Sequence, residues 1–299
     1  MLAEIPWFCI FANIFKLFMK KTLFFCTIAF MGLSVWSCSK DDDNPVKDSG
    51  LVISSYQVIS ISGGKEYAKD VYTPMYDAQG RVVKTVYEVY SFPKGEYNLL
   101  TVEIRDFDYA TSTAYATDCW EIITPGKLEV TGPDKLALKF GDGLKLLKVT
   151  DPDRTLDYTY NGDYLSSYSV TFTGNSPIVK HYTWSGGDLV NMMEEEITAG
   201  SGPYNINVTY GKEANPFVNT IDPLLAIHSS MLPEYASANL IGKSSAHLPV
   251  SYKEDFYGDI TFSFKYTRDD KGRIVRVDIT GDDQEHRYDR AIVISYSSL

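Results

Sequence analysis

Apolar and polar residues alternate with a period of two over most of the chain beyond residue 51, which is the pattern of β-strands that bury one face. The clearest case is Ile260–Tyr266, where isoleucine, phenylalanine and tyrosine occupy one face and threonine, serine and lysine the other. A polar turn at Arg268–Gly272 follows, and the alternation resumes over Val275–Ile279. This stretch predicts an antiparallel β-hairpin.

Further hairpins follow from the same alternation. Asn161-Gly162 between two alternating runs is the strongest short hairpin signal, because both residues tolerate positive φ. The pattern predicts an all-β protein built as an antiparallel hairpin meander, and it excludes a helical or α/β protein. The further predicted strands are Leu136–Phe140, Leu144–Val149, Leu156–Tyr160, Tyr164–Phe172, Ile178–Trp184, Leu189–Thr198, Tyr204–Tyr210 and Ile292–Tyr296.

A loose repeat joins these hairpins: an aromatic residue, a short polar turn with glycine, an aliphatic residue and the next strand. It occurs at Tyr76–Val82, Tyr160–Leu165, Trp184–Leu189 and Tyr266–Ile274. Any hairpin meander can produce such a pattern, since turns need glycine and strands favour aromatic residues. We interpret the repeat as a feature of the fold rather than as a binding motif.

One segment breaks the alternation. Asp222 and Pro223 provide a helix-start signal, and apolar residues follow at helical spacing as far as Leu232. Gly242 ends a second, shorter helical stretch. We predict a short helical excursion over Asp222–Pro249 that covers apolar surface of the sheet, and a lid is the alternative interpretation.

The first 37 residues have a different character. Two apolar runs, Ile5–Phe18 and Thr22–Trp36, flank Met19-Lys20-Lys21. A short basic start and an apolar stretch of about 15 residues describe a secretory signal, and the stretch is shorter than the roughly 20 residues of a membrane span. We predict a signal peptide over residues 1–37. Residues 1–18 are interpreted as a mis-assigned start, with an amphipathic membrane segment as the alternative.

A lipoprotein box, Val35-Trp36-Ser37-Cys38, closes this leader. The small Ser37 admits the signal peptidase, and the thiol of Cys38 takes the diacylglycerol. The following Ser39–Asp43, with its lysine and three aspartates, resembles the Bacteroidetes surface-lipoprotein export signal, which implies an outer-membrane lipoprotein that faces outward. We therefore predict lipidation of Cys38 and an acidic, flexible tether over residues 38–50. A single-pass anchor with an incidental cysteine is the alternative.

The predicted mature chain is strongly acidic. The leader holds three of the 28 Lys and Arg residues and one of the 39 Asp and Glu residues, which leaves 25 basic and 38 acidic residues and a net charge of −13. Such a charge disfavours binding to nucleic acid or to anionic lipid by electrostatics. Only Cys38 and Cys119 remain after cleavage, so a lipidated Cys38 rules out an intramolecular disulfide.

Charged residues on the predicted strands argue against a membrane-spanning barrel. A spanning strand needs about 9–11 residues with an uncharged face toward lipid. Lys84 and Glu88 share one face of Arg81–Tyr90, and Glu103 and Arg105 share a face of a neighbouring strand. We predict that the strands do not enter the membrane.

The layout of the predicted mature chain resembles a Bacteroidetes lipoprotein domain that is described as porin-like in fold and has no assigned activity. The likeness lies in short Tyr- and Trp-flanked hairpins behind a lipoprotein leader, a helical break before Gly242–Pro249 (Gly-Lys-Ser-Ser-x-x-Leu-Pro), and a final Phe/Tyr hairpin. It implies an antiparallel, strongly curved or barrel-like sheet in a single domain over residues 51–299. The hairpins are also weakly similar to the tyrosine-aspartate repeats of large bacterial surface and toxin shells.

Motifs for catalysis, metal or cofactor binding are weak, and Cys38 is the one site residue that we predict. Gly242-Lys243-Ser244 lacks the first glycine of a phosphate-binding loop. Asp151, Asp153 and Asp157 lack the glycine-centred loop of a calcium site, so a turn is favoured. Zinc-ligand spacing is also missing among the four histidines, which are His181, His228, His247 and His286.

Two features leave alternatives open. Glu194 and Glu196 share a strand face, and a solvated face is favoured over a catalytic pair. A glycosidase pair is compatible with the sequence, because its carboxylates come from distant strands and leave no local signature. Cys119 has no basic neighbour to lower its pKa, so a buried filler is favoured over a nucleophile.

These observations favour a non-enzymatic outer-membrane lipoprotein whose sheet binds a glycan or peptide. The motivation is the 22 tyrosines, all of which follow the leader, since tyrosine is enriched at wet recognition surfaces. The alternatives are a structural or accessory subunit of an outer-membrane complex and a glycan hydrolase. The expected partners are the membrane, through lipid on Cys38, and a glycan or an outer-membrane protein; no nucleic acid and no cofactor is expected.

Overall fold

The computed structural model describes residues 51–92, 98–121, 128–195, 203–217, 240–255, 259–282 and 288–299, with the backbone alone described at 119–121 and 128–129. These ranges contain one turn of 3-10 helix, Asp142–Leu144. Their strands are β1 (Leu51–Ser62), β2 (Lys65–Tyr76), β3 (Val82–Ser91), β4 (Asn98–Asp108), β5 (Thr113–Glu121), β6 (Leu128–Phe140), β7 (Leu146–Thr150), β8 (Arg154–Asn161), β9 (Tyr164–Phe172), β10 (Ile178–Ser185), β11 (Asp188–Glu194), β12 (Tyr204–Ala214), β13 (His247–Glu254), β14 (Ile260–Arg268), β15 (Ile274–Gly281) and β16 (Asp289–Ser298).

The strands close into a barrel in the order of the sequence. Each pairs antiparallel with the strands before and after it, and β16 pairs with β1 from Leu51↔Ser298 to Ile61↔Asp289. The predicted all-β meander with a strongly curved or barrel-like sheet is confirmed, and the closure is complete. Closure matters physically because it leaves no edge strand with unpaired backbone groups.

The helical excursion is the part of the sequence-based prediction that the structure revises. Its residues 222–239 lie outside the described ranges, as do the predicted leader and tether. Leu240–Ala246 is irregular, and His247 begins β13, so the predicted excursion extends three residues too far. Leu248, Tyr252 and Glu254 are all buried and are separated by even numbers of residues, which is the spacing that could have predicted this strand from the sequence.

The inward face of the barrel forms the hydrophobic core. Sixteen-stranded porins leave an aqueous channel, but here the inward side chains pack together into one cluster. Val149, Leu156, Met192 and Val277 are completely inaccessible to solvent. The barrel is therefore filled with side chains over this part of its interior.

The outward face, by contrast, carries charged pairs between neighbouring strands. Lys84 lies 3.2 Å from Asp106 across β3 and β4, and Lys148 lies 3.3 Å from Asp157 across β7 and β8. A membrane barrel has the opposite arrangement, with an apolar outer band and a polar interior. Lys84 faces outward, whereas Glu103 and Arg105 point inward and so do not bear on lipid contact. No helix in the described ranges is long and apolar enough to cross a membrane.

One end of the barrel, which we call the entry end, contains Leu51, Leu299 and the turn at each repeat of the aromatic motif. There the aromatic residue of one strand donates a hydrogen bond to the carbonyl oxygen of a buried aliphatic or proline residue near the start of the preceding strand. These bonds measure 2.6–3.0 Å and join Tyr76 to Ile53, Tyr109 to Val82, Tyr160 to Leu146, Trp184 to Leu165, Tyr210 to Leu189, Tyr266 to Pro249 and Tyr296 to Ile274. The loose repeat in the sequence is thus a structural repeat that closes the entry end.

The flanks of the excursion add to this closure. Phe217, Leu240 and Ile241 are buried in the core cluster. The carbonyl oxygen of Leu240 accepts a 2.8 Å hydrogen bond from the backbone N–H of Leu146, at the start of β7. The prediction that this region covers apolar surface therefore agrees with its described flanks.

The opposite end, which we call the far end, is uneven in height. Counted from the aromatic residues of the entry end (Tyr76, Phe140, Tyr160 and Trp184), β2 and β6 have 12 and 13 residues, whereas β8 and β10 have 7 each. Five extra residues correspond to roughly 16 Å of strand. Strands β1–β6 consequently rise above the others as one side of the barrel, which we call the high wall.

Candidate functional site

The residues singled out in the sequence do not converge in the structure. Cys38, His228, His286 and Glu196 lie outside the described ranges, and the side chain of Cys119 in β5 is not described. His181 pairs with Glu195 at 2.7 Å on the outer face, and His247 pairs with Asp188 at 2.9 Å near the entry end. Within the described ranges, no group of three or more His, Cys, Asp or Glu residues is placed to hold a metal ion.

The three aspartates considered for calcium also separate. Asp151 accepts hydrogen bonds from the backbone N–H groups of Asp153 and Arg154, which is a local turn. Asp157 points outward to Lys148. The interpretation as a turn agrees with this geometry.

The Gly-Lys-Ser stretch has a structural role. Gly242 has φ +92°, and a Cβ there would overlap the carbonyl oxygen of Asp163. Lys243 pairs with Asp163 at 2.9 Å, and the buried Ser245 hydroxyl accepts a 3.2 Å hydrogen bond from Leu189 N–H. Lys243 and Lys145 together lower the pKa of Asp163 to about 2. This stretch fastens the chain to the turns of the entry end, in keeping with the rejection of a phosphate-binding loop.

The inner face of the high wall carries a stack of three tyrosines. Tyr56, Tyr72 and Tyr87 occupy paired positions on β1, β2 and β3. The ring centroids lie 4.5 Å apart between Tyr56 and Tyr72 and 4.4 Å apart between Tyr72 and Tyr87. Tyr56 is buried in the core, whereas Tyr72 and Tyr87 are partly exposed. The stack therefore runs from the packed interior to an accessible surface.

A hydrogen-bonded carboxylate lies beside this stack. Tyr72 donates a hydrogen bond to the hydroxyl of Tyr87, and Tyr87 donates one to the carboxylate of Asp70. Burial raises the pKa of Asp70, while the bond from Tyr87 and the positive charge of Arg290 act in the opposite direction. A partly buried acid of this kind, surrounded by hydroxyl groups, is a frequent feature of functional sites.

Charged residues continue the inner face across the next two strands. Glu103 faces Tyr87 across β3 and β4, and Asp118 faces Glu103 across β4 and β5. Arg105 lies between the two acids, 2.6 Å from Asp118 and 3.4 Å from Glu103. Its side chain is 11% exposed, whereas that of Glu103 is 37% exposed, so the acids present the accessible oxygens.

Arg290 of β16 acts on inward-facing acids on both sides of its own strand. Its charge opposes the burial-induced rise in the pKa of Asp70 on β2 and of Glu254 on β13. Glu254 is itself buried and accepts a 3.2 Å hydrogen bond from Tyr204. Inward-facing charge is thus present on strands to both sides of β16.

A second inward ion pair joins Lys180 of β10 to Glu194 of β11 at 3.2 Å. Burial lowers the pKa of Lys180, and the carboxylate of Glu194 counteracts part of this effect. The expectation that Glu194 belongs to a solvated face is wrong, because its side chain is only 18% exposed. Its inward position follows from Met192, two residues earlier, which lies in the core.

Sequence reasoning did not find this surface, which we call the inner-wall site and define as Tyr72, Tyr87, Asp70, Glu103, Arg105 and Asp118. A usable signal was present, because Glu103 and Arg105 alternate with Val102 and Ile104 and continue the face of the buried Phe107. Charged residues in phase with a core residue point to a polar interior. Chemically, the site offers carboxylate acceptors beside an aromatic ring, in a barrel that is otherwise packed.

Comparison of the structure with solved structures identifies relatives in fold. The crystal structure of a porin-like protein from Bacteroides uniformis superposes with a TM-score of 0.60 and 14% sequence identity, over 82% of this chain and 98% of that chain. A porin-like protein from Bacteroides vulgatus covers 83% of this chain and 99% of its own, with 17% identity and a TM-score of 0.44. No protein-family model and no curated protein matches the sequence. The resemblance to a porin-like fold is thereby confirmed, and this chain has the fold of the Bacteroides uniformis porin-like protein.

Proposed function

We propose that this protein is an outer-membrane lipoprotein, held by lipid on Cys38 and facing outward, that binds a glycan or peptide at the inner-wall site. The observation that carries the proposal is the combination of stacked, partly exposed tyrosines with accessible carboxylates on the inner face of the high wall. The porin-like fold and the lipoprotein leader support the location. The accessory-subunit and glycan-hydrolase alternatives stay predictions.

Tyrosine content no longer supports the proposal by itself. Many of the described tyrosines either seal the entry end through their hydroxyls or lie in the core, as Tyr158, Tyr168, Tyr182 and Tyr252 do. Their number is therefore explained by stability. On the inner wall, Tyr72 and Tyr87 combine partial exposure with neighbouring inward carboxylates.

The charges of the inner-wall site restrict the classes of ligand that it can bind. Asp70, Glu103 and Asp118 outnumber the single cation Arg105. A polyanion would be repelled by this excess, whereas the hydroxyl groups of a neutral glycan can donate to the carboxylates and its ring can lie against Tyr87. Sites of this kind combine an apolar surface with a few placed polar groups. A neutral glycan is the ligand that fits best, and a neutral or cationic peptide is second.

Conduction through the barrel is disfavoured by the same structure. The entry end is sealed by the aromatic hydrogen bonds and by buried side chains, and the outer face carries ion pairs. A ligand that enters from the far end would meet the high wall and then the packed core. Binding without passage is the function that agrees with these features.

Affinity gel electrophoresis with neutral polysaccharides (amylopectin, xylan and dextran) tests the proposal on the purified full chain. Tyr87→Ala and Glu103→Gln should each weaken retardation at least tenfold, because they remove the ring and an accessible acceptor. The matched controls are Tyr90→Ala and Glu88→Gln, on the outer face of the same strand, where Tyr90 donates to Glu88 at 3.0 Å. Far-UV circular dichroism verifies that each variant is folded.

Two results would overturn the proposal. One is binding that survives both inner-wall variants or that falls equally in the outer-face controls. The other is the absence of binding to every polysaccharide, together with the absence of binding to neutral and cationic peptides on arrays. If the protein binds peptides but no polysaccharide, the inner-wall site is still supported, and its ligand is a neutral or cationic peptide.

A further inference from the structure

The outward positions of β2–β6, on the high wall, differ in chemistry from those of β8 and β9. Strand pairing places them on the same face as Lys84, which points outward. The centre of this face is aliphatic and consists of Val71, Val86, Val102, Ile104 and Val130, which we call the outer patch. On β8 and β9 the outward positions are all polar, and they are Thr155, Asp157, Thr159, Ser167, Ser169 and Thr171.

The outer patch is accessible and has an aromatic border. Met75, Tyr90 and Tyr115 lie next to it on β2, β3 and β5. Val130 is 63% exposed, Met75 43% and Tyr115 38%, and the other members of the patch are partly exposed. Contiguous apolar residues on the outside of a protein mark an interaction surface. An aliphatic centre bordered by tyrosine and methionine has the composition of a protein–protein interface.

We propose that the outer patch is the interface of a symmetric dimer, so that its partner is a second copy of this chain. The same patch then serves as both surfaces, and the assembly closes at two copies. Charge favours this partner. The whole chain has a formal net charge of −11, so most contacts between two copies are repulsive. The charges around the outer patch sum to +1, and they belong to Lys69, Lys84, Lys135, Glu88 and Asp106.

Most of these border charges already have a partner within one chain. Lys84 lies 3.2 Å from Asp106, and Tyr90 donates a 3.0 Å hydrogen bond to Glu88. The ammonium group of Lys69 lies 4.8 Å from the centroid of the Tyr90 ring. Breaking such pairs by burial would be costly, but two copies can meet over the aliphatic centre while these groups keep their partners.

The extent of this face suits a small interface. Five strands at a spacing of about 4.8 Å, and about eight residues along each at about 3.4 Å, give a footprint of roughly 650 Å². A standard interface buries about 800 Å² of accessible surface on each partner, and projecting side chains make the accessible area larger than the flat footprint. Two β-sheets pack face to face in this manner in β-sandwiches. An interface of this size predicts a dissociation constant in the micromolar range.

Sedimentation equilibrium of the purified full chain, in a detergent matched to the density of the buffer, measures the association. We expect an equilibrium between monomer and dimer. Val102→Glu should weaken the dimer at least tenfold, because it buries a charge at the centre of the interface. The matched control is Ser169→Glu, at an outward position of β9, which should leave the dissociation constant unchanged. Far-UV circular dichroism verifies that each variant is folded.

A mixture of opposite charges separates an interface from a loss of folding. Val102→Lys alone should also weaken the dimer at least tenfold, because equal charges then meet across the two-fold axis. An equimolar mixture of Val102→Lys and Val102→Glu chains should associate at least fivefold more tightly than either variant alone, since opposite charges then face each other. Misfolded variants would not be rescued by mixing.

Several results would contradict the dimer. One is a wild-type chain that stays monomeric up to about 100 μM, well above a micromolar dissociation constant. If Cys38→Ala is monomeric and pellets with phosphatidylcholine vesicles, the outer patch binds lipid instead. A dimer that survives Val102→Glu, or that Ser169→Glu weakens equally, forms through another surface. Tyr87→Ala, on the inward face, should keep the dimer, so the dimer and the proposed ligand site are tested separately.

Discussion

The hydroxyl of Tyr296 donates a 2.8 Å hydrogen bond to the carbonyl oxygen of Ile274, and the guanidinium of Arg273 lies 5.3 Å from the centroid of the same ring. Two consecutive residues therefore contact both the hydroxyl and the ring face of the tyrosine. Tyr109 makes the same two contacts: the Arg81 guanidinium lies 4.9 Å from its ring centroid, and its hydroxyl donates a 2.7 Å hydrogen bond to the carbonyl oxygen of Val82. A cation followed by an aliphatic residue is thus the turn signature that binds the next aromatic residue.

Loss of this hydrogen bond should be measurable. Tyr296→Phe keeps the ring and its contact with Arg273 but leaves the carbonyl oxygen of Ile274 without its tyrosine donor. We expect the free energy of unfolding to fall by about 1–2 kcal/mol, the cost of an unmade buried hydrogen bond. Urea denaturation monitored by tyrosine fluorescence provides the measurement. Tyr67→Phe, at a residue that is 49% exposed, is the control and should change stability by less than about 0.5 kcal/mol.

Backbone fit at the entry end provides a second test. Gly242→Ala should destabilise the fold by several kcal/mol, because the residue has φ +92° and the added Cβ would overlap the Asp163 carbonyl oxygen. Gly162→Ala is the matched control: it also has positive φ, +61°, but nothing lies within 4 Å of its added Cβ. Strain alone should cost it about 1 kcal/mol. Equal melting temperatures for the two variants would show that the Asp163 contact has no energetic role.

Ionisation of Asp70 should reduce stability. Its pKa in the folded state is raised by burial, so its favourable contribution is complete below the ordinary aspartate value near 3.9 and is lost as the pH rises through the raised value. Asp70→Asn cannot ionise and can still accept the hydrogen bond from Tyr87. Its melting temperature should exceed that of the wild type at pH 7–8, and the difference should vanish near pH 4. Asp106→Asn, on the outer face, is the control, and a similar pH-dependent gain in that variant would argue against burial as the cause.

The lipid anchor is tested by Cys38→Ala. Without the thiol no diacylglycerol can be added, and we expect the chain to leave the membrane fraction. Since the outer face of the barrel carries ion pairs, it should supply no hydrophobic attachment of its own. Fractionation followed by immunoblotting measures the change. Cys119→Ser is the control and should stay in the membrane fraction; persistence of Cys38→Ala through an alkaline wash would contradict both the anchor and the assignment of faces.

Alternation of apolar and polar residues was sufficient to predict the strand class and several hairpins. Ile260–Tyr266 and the returning strand are a clear example, because one face is apolar without interruption and the turn between them contains Gly272. The motif at Tyr160–Leu165 was visible for the same reason. Closure was not predictable from the residues, since the pairing of Tyr56 with Ile294 joins strands at opposite ends of the sequence.

Interior charges were harder to recognise. Glu103 and Arg105 look like residues of a solvated face, and their phase with Phe107 became informative once Phe107 was found to be buried. Lys180 and Glu194 were hidden in the same way, because each is acceptable on a surface and their pairing depends on register. The start of strand β13 was missed because Asp222–Pro249 was assigned to one excursion. Pro249 is tolerated in the strand because it lies at an irregularity of pairing near Tyr210.

The junction of β1 with β16 has a consequence for the kinetics of folding. Neighbouring strands can pair as soon as they exist, but this last pairing joins residues more than 200 positions apart and raises the contact order of the whole chain. Until it forms, β1 and β16 each present a row of unpaired backbone groups, which is a template for aggregation. If the chain is secreted from its N-terminus, as the predicted signal peptide implies, β1 would stay open until β16 arrives, and a chaperone that shields one strand edge would protect such an intermediate from aggregation.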